Sequence, residues 1–158
     1  VCTDSVNEAV GVVYLKESIE KGSVLGMRFL AHYYIKVNNT TSGLKLLEMA
    51  SGKKDGMALY EYGSILLDGD FSVYGIPRLK SGHQVQFQKG LILIKESADN
   101  GNPYAMLKVA DILYMKNKKK SFDYIMRAYR EFEQKSEVSY LLDIEEKLEK
   151  KYKDLIKK

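Results

Sequence analysis

Residues that could carry out chemistry are few in this chain. Two histidines, His32 and His83, and one cysteine, Cys2, supply all of the imidazole and thiol groups among 158 residues. The sequence has no H-E-x-x-H or C-x-x-C metal motif, no G-x-S-x-G nucleophile motif, and no glycine loop with a phosphate-binding lysine. A cysteine–histidine pair would depend on Cys2, beside the chain terminus. We therefore predict a non-enzymatic protein with no cofactor and no metal.

A second group of residues is better suited to contact with another protein. It occupies two neighbouring positions of a repeated segment, and its chemistry varies from copy to copy while the packing positions stay apolar or small. Its members are Phe29, His32, Glu61, Ser64, Lys108 and Asp111. A ligand-facing stripe on a repeat scaffold would vary in this way, and so would a plain solvated face. Tyr74 is a further contact candidate, because exposed aromatic side chains anchor interfaces, although it could instead hold its own loop in place.

The repeated segment occurs three times in one register. The copies are Gly11 to Ile35, Gly43 to Leu67 and Gly90 to Tyr114. Without gaps, Gly11 and Gly22 of the first copy fall on identical residues of the third. Self-similarity at a spacing of a few tens of residues indicates a repeat array, and such arrays usually bind other molecules.

Each copy is predicted to contain two helices joined by a short turn. We call the helix before the turn the first-type helix and the helix after it the second-type helix. In the first copy Val12, Leu15 and Ile19 recur at helical spacing. Gly22 is predicted to end this helix, because glycine accepts the left-handed conformation at a helix C-terminus. Ser23 is then a suitable N-cap for the second helix.

The turns of the other two copies differ at the glycine position. The third copy has Gly101 as its stop and Asn102 as its cap, whereas the second copy has Lys54 in place of the glycine. We expect Gly52 or Gly56 to take over that role, which predicts a less regular turn in the second copy.

Small residues recur at two positions of the second helix in every copy. They are Gly26, Ala58 and Ala105 at one position, and Ala31, Gly63 and Ala110 at the other. Small side chains allow a neighbouring helix to approach closely. These six residues are therefore predicted to lie at helix–helix contacts.

Two segments fall outside the three copies. Residues 68–88 contain Gly, Pro and Ser without a helical period and are predicted to form a long loop beside the binding surface. Residues 120–158 are predicted to form a C-terminal cap. Its first part is a fourth helix of the first type, and Ser136 caps a long final helix that ends at Lys158.

The copies resemble the Sel-one-like repeat family, relatives of the tetratricopeptide repeats. The third copy, ESADNGNPYAMLKVADILY, carries the pattern best, with Ala98, Gly101, Ala105, Ala110 and Leu113 at the family positions. The resemblance covers about residues 11–129, and the cysteines of the family's secreted members are missing. It implies an all-α fold, a right-handed superhelix of antiparallel helix pairs with a concave binding face, over residues 1–158 as one domain.

The resemblance also suggests a function. It implies a protein-binding module, in its most concrete form a bacterial immunity or inhibitor protein that sequesters a cognate toxin or secreted effector. An adaptor or scaffold of an envelope or secretion system is the alternative, and a secreted hydrolase is a second one.

Charge bears on the other possible partners. The net charge of +4 arises from 25 basic and 21 acidic residues, and the excess lies in the C-terminal segment rather than along a folded groove. We therefore expect no nucleic-acid partner. Membrane association would require acylation of Cys2, which precedes Thr3 and Asp4 as in a lipoprotein but follows an unfavourable Val1. A periplasmic or secretory location is slightly favoured over the cytoplasm.

Overall fold

Helices are the only regular elements in the part of the chain that the structure, a computed structural model, describes. This part comprises residues 2–69 and 86–156, with side chains from residue 7 onward. The helices are α1 Cys2–Glu20, α2 Val24–Lys36, α3 Thr40–Gly52, α4 Gly56–Asp68, α5 Phe87–Asp99, α6 Pro103–Leu113, α7 Lys118–Gln134, α8 Val138–Lys151 and α9 Lys153–Ile156. The all-α prediction is confirmed.

Packing joins helices that follow one another in the sequence. In this way α1 to α4 form a consecutive series, and α6 to α9 form another. The chain divides into two compact units, Val1–Gly90 and Leu91–Lys158, and each is described here by itself. The assignment of residues 1–158 to a single domain stays a prediction.

The turn inside each copy has the same geometry in all three. A residue with left-handed backbone ends the first helix, and the side chain of the next residue accepts a hydrogen bond from the backbone N–H three positions on. The left-handed residues are Gly22 (φ 85°), Lys54 (φ 62°) and Gly101 (φ 86°). The caps are Ser23, Asp55 and Asn102, with donor–acceptor distances of 3.0, 2.8 and 3.1 Å. The predicted stops and caps of the first and third copies are confirmed.

The prediction for the second turn was wrong. Lys54 itself takes the left-handed conformation, while Gly52 ends α3 and Gly56 begins α4. The Lys54 N–H donates to the Ser51 carbonyl at 2.9 Å, so helix-end hydrogen bonding holds a residue whose Cβ disfavours this conformation. The second turn is therefore as regular as the other two.

The small residues lie where they were predicted to lie. All six are buried, four of them alanines with no exposed surface. A Cβ atom at Gly26 would collide with the Ser18 hydroxyl of α1. This close approach explains a glycine inside α2, where it costs about 1 kcal/mol relative to alanine.

A second close contact recurs where a first-type helix meets the helix before it. A Cβ on Gly43 would lie 2.9 Å from the Ala31 carbonyl oxygen, and a Cβ on Gly90 would lie 2.8 Å from the Gly63 carbonyl oxygen. In α7 the equivalent residue is Ser121, whose hydroxyl donates to the Ala110 carbonyl at 2.6 Å. Helix α7 is thus the fourth first-type helix that the sequence predicted.

The final helix differs from its prediction. Ser136 has a left-handed backbone (φ 56°) and belongs to the end of α7, while Glu137 precedes α8 without a side-chain cap. The helix is interrupted at Tyr152, between α8 and α9. Among the regularly spaced apolar residues of this segment, Ile144 and Tyr152 are buried, while Leu141, Leu148 and Leu155 are half buried. Lys158 lies outside the described residues.

Candidate functional site

Three charged or polar side chains from two second-type helices meet in the first unit. Arg28 and His32 come from α2, and Glu61 comes from α4. The Arg28 guanidinium donates through Nε to Glu61 Oε2 at 3.1 Å and through a terminal nitrogen to Oε1 at 2.8 Å. His32 Nε2 lies 3.4 Å from the same Oε1. We call these three residues the Glu61 cluster.

Local structure explains why these side chains converge. Arg28 and His32 are four residues apart in α2, so they lie on one face. The Ser23 and Asp55 caps begin α2 and α4 after turns of identical geometry. Equivalent positions on the two helices therefore come close together, and Glu61 is placed against the Arg28 face.

Burial raises the energetic cost of a charge on Glu61. Only 1% of Glu61 is exposed, against 16% and 29% of the Arg28 and His32 side chains. Burial acts to raise the pKa of Glu61, but the hydrogen bonds from His32 and Arg28, with their charges, outweigh it and hold that pKa below its ordinary value. Glu61 is thus a carboxylate held in its charged form.

Large apolar side chains lie exposed beside the cluster. Leu25 and Phe29 are four residues apart on α2, and about half of each is exposed. The Phe29 and His32 rings meet edge to face, with centroids 6.2 Å apart and planes at 78°. An aromatic side chain held next to fixed charged groups is the arrangement found at the centres of protein interfaces. We call Leu25, Arg28, Phe29 and His32 the α2 contact face.

Two of the predicted contact residues do not face outward. Glu61 and Ser64 are both 1% exposed, so their placement on an exposed stripe was wrong. Residues 61–67 of α4 are all buried, which means that no face of this part of the helix is solvated. The Ser64 hydroxyl has no hydrogen-bond partner among the described residues.

The other predicted contact residues fall in different places. Phe29 is half exposed and His32 partly so, both on α2. Lys108 and Asp111 lie on α6 in the second unit, Lys108 half buried and the Asp111 side chain 52% exposed. Lys147 of α8 lies 3.3 Å from the Asp111 carboxylate, so Asp111 also helps to attach the C-terminal helix. Tyr74 and His83 lie outside the described residues, as does most of the predicted loop 68–88.

Arg28 was missed by the sequence analysis. Its equivalents in the other copies are Tyr60 and Leu107, so the repeat pattern gave it no special place. The available signal was the pairing of a basic α2 residue with an acidic α4 residue, at nearly the same distance from their caps. Leu25 was missed because an isolated apolar residue in a helix is read as core.

Some classes of site have no counterpart in the described part of the chain. Residues 2–69 and 86–156 contain no group of three or more His, Cys, Asp or Glu side chains that could hold a metal ion. Within the same residues, every helix is too short or too polar to cross a membrane. Comparison with family models, curated proteins and solved structures found no match to this chain.

Proposed function

We propose that this chain is a non-catalytic helical-repeat module that binds another protein through the α2 contact face. The observation that carries the proposal is the half-exposed Phe29, which lies beside an Arg28–Glu61 pair that is joined by two hydrogen bonds. Such a residue gives a partner apolar area to bury, and the fixed charges next to it select the partner.

The buried carboxylate contributes by fixing the positions of its neighbours. Since Glu61 accepts both bonds of the Arg28 fork, the guanidinium has one orientation before any partner arrives. A preorganised side chain loses less conformational entropy on binding than a free one. Glu61 thus acts behind the surface, as a positioning residue, and Phe29 and His32 make the contact.

In its most concrete form, the proposal is a bacterial immunity or inhibitor protein that sequesters a cognate toxin or secreted effector by steric occlusion. It assumes the right-handed superhelix of antiparallel pairs that the resemblance to Sel-one-like repeats implies. The three identical turns and the recurring small-residue contacts support that assumption. An adaptor or scaffold in an envelope or secretion system would use the same contact face and is the alternative.

Affinity capture with a matched pair of variants tests the proposal. The bait is the chain in three forms: wild type, Phe29→Asp, and Ile92→Asp on α5. The exposed fractions of Phe29 and Ile92 are 51% and 64%, so both substitutions remove comparable surface and add one charge. We expect a protein retained by wild type and Ile92→Asp to be lost with Phe29→Asp. Equal retention by all three forms would contradict the proposed contact face.

A second measurement separates binding from enzymatic activity. For the captured partner, titration calorimetry should show saturable binding at a fixed stoichiometry, and mass spectrometry should show both proteins unchanged after incubation. A cleaved or modified partner would instead support the hydrolase alternative.

A further inference from the structure

Helix α1 exposes a face that the other three described first-type helices, α3, α5 and α7, bury. In α3 this face contains Gly43, Leu47 and Ala50, and in α7 it contains Ser121, Ile125 and Ala128; all six residues are buried. The corresponding residues of α5 are Gly90, Ile94 and Ser97, also buried. In α1 the corresponding Gly11 is exposed, and Leu15 and Ser18 are only half buried.

The buried copies show what covers this face. Gly43 lies against the Ala31 carbonyl and the Ile35 side chain of α2, and Gly90 lies against the Gly63 carbonyl and the Leu67 backbone of α4. The covering element is in both cases a second-type helix with a small residue and, four positions later, an aliphatic one. A Cβ built on Gly11, by contrast, meets no atom of the described residues within 4 Å.

Two features of α1 indicate that its face is built to be covered. Glycine destabilises a helix interior relative to alanine, and nothing in residues 2–69 and 86–156 requires a glycine at Gly11. The residue before it is Val10, 47% exposed, where the equivalent positions carry Ser42, Lys89 and Lys120. Exposed Tyr14 continues this apolar surface one turn further along the helix.

Helix α1 extends further ahead of this face than the other first-type helices do. Helices α3, α5 and α7 each begin three residues before the glycine or serine of this face, at Thr40, Phe87 and Lys118. Helix α1 begins at Cys2 and continues through this point. In α1, helix thus occupies the place where α3 is preceded by a short connection.

We propose that the open face of α1, formed by Val10, Gly11, Tyr14 and Leu15, binds an amphipathic helix of a partner protein. The partner helix carries Ala or Gly at the point of contact with Gly11 and an aliphatic residue four positions later. Helix α8 of a second copy does not fit this description. Counted from the left-handed residues Gly22 and Ser136, it has the exposed Glu145 and Glu149 where α2 has Ala31 and Ile35. This interface is separate from the α2 contact face and does not depend on it.

A helical peptide with the α2 sequence tests the proposal directly. The probe is a fluorescent peptide of Ser23–Asn38, held helical by a side-chain lactam, and binding to the full chain is followed by fluorescence anisotropy. We expect saturable binding that weakens at least tenfold when the chain carries Gly11→Leu. The same loss is expected when the peptide carries Ala31→Glu, which blocks the close approach. Absence of saturable binding would overturn the proposal.

Matched controls make the result specific. Gly52→Leu in α3 also adds a side chain to a helical glycine with open space around it, and it should leave peptide binding unchanged. Gly11→Leu should melt at the wild-type temperature or above, since leucine favours helix more than glycine does. A lower melting temperature would mean that Gly11 is packed within the chain and would refute the open face. A dimer in light scattering that Gly11→Leu abolishes would assign the face to a second copy instead.

Discussion

The two units of this chain differ in whether a charged group is among their buried polar groups. The first unit buries the charged carboxylate of Glu61 and satisfies it with Arg28 and His32. The second unit buries neutral hydroxyl groups: Tyr152 lies 2.6 Å from the Ser121 hydroxyl, which in turn donates to the Ala110 carbonyl. The core of the first unit thus contains a charged group, whereas the core of the second unit contains a series of hydrogen bonds between neutral groups.

This difference predicts which substitutions each core tolerates. A buried carboxylate is tolerated only while its cationic partners remain, because an uncompensated charge in the interior is costly. A buried hydroxyl that loses its partner costs much less. The first unit should therefore be sensitive to changes of charge, and the second to changes of volume.

The largest expected effect comes from reversing the buried charge. Glu61→Lys places a second cationic side chain beside Arg28 and leaves the Arg28 fork without its acceptor. Loss of one partner from a buried pair typically costs about 3–5 kcal/mol, and we expect a loss of at least this size in the free energy of unfolding, measured by urea denaturation.

Asp111→Lys is the matched control for this substitution. Asp111 is half exposed and pairs with Lys147 on the surface, where such pairs contribute about 0–1 kcal/mol. A comparable loss of stability in the two variants would show that Glu61 is not a buried charge. On sequence grounds alone both residues would have been expected to tolerate lysine.

The next prediction concerns the volume of a buried side chain in the second unit. Ala110 has no exposed surface, and its carbonyl accepts the Ser121 hydroxyl. Ala110→Leu should overpack the contact between α6 and α7 and lower the free energy of unfolding by about 1–3 kcal/mol. Ala110→Ser, which adds little volume, serves as the control in a thermal melt. An unchanged melting temperature for the leucine variant would break the proposed contrast between the units.

A smaller effect of opposite sign is expected at the second turn. Lys54 has φ 62° where the other copies have glycine. Lys54→Gly should relieve the strain of a Cβ in left-handed backbone and stabilise the first unit by about 1 kcal/mol. The reverse change, Gly101→Lys, should destabilise the second unit by a similar amount. Calorimetry of both variants would show whether the turns are interchangeable.

The smallest effect is a difference in response to pH. Since the pKa of Glu61 is held below 4.5, its contribution is present above pH 4.5 and is lost as the pH falls through the lower, folded-state value. Burial raises the pKa of Tyr152 above 10.0, so its contribution is present below pH 10 and is lost as the pH rises further. Hydrogen exchange should therefore show α4 opening first in acid and α7 opening first in alkali. Glu61→Gln should flatten the acid response alone.

Much of the fold could be predicted because its signals are local. The caps Ser23 and Asn102 and the left-handed Gly22 and Gly101 act within a few residues, and the small positions recur in register. Lys54 was mispredicted because the helix-end hydrogen bonds and the Asp55 cap, not the residue type, decide the turn conformation.

The candidate site was predicted less well because its contacts are distant in sequence. Arg28 and Glu61 are separated by 33 positions, and helical periodicity gives the face of one helix without showing what lies opposite. The sequence predicted that the variable position of Glu61 faces outward, toward a ligand or toward solvent. Glu61 is instead buried against Arg28 of α2. The prediction that Phe29 and His32 face outward is confirmed, since both lie on the partly exposed α2 contact face.

The turn shared by the three copies also bears on how the chain folds. Each cap bond joins a side chain to an amide three residues later, and the extensive helix contacts join neighbours in sequence. Little loop-closure entropy has to be lost before such contacts form, so the contact order is low and folding is expected to be fast. Three equivalent turns offer three places where a nucleus can form, and propagation can then start from any of them.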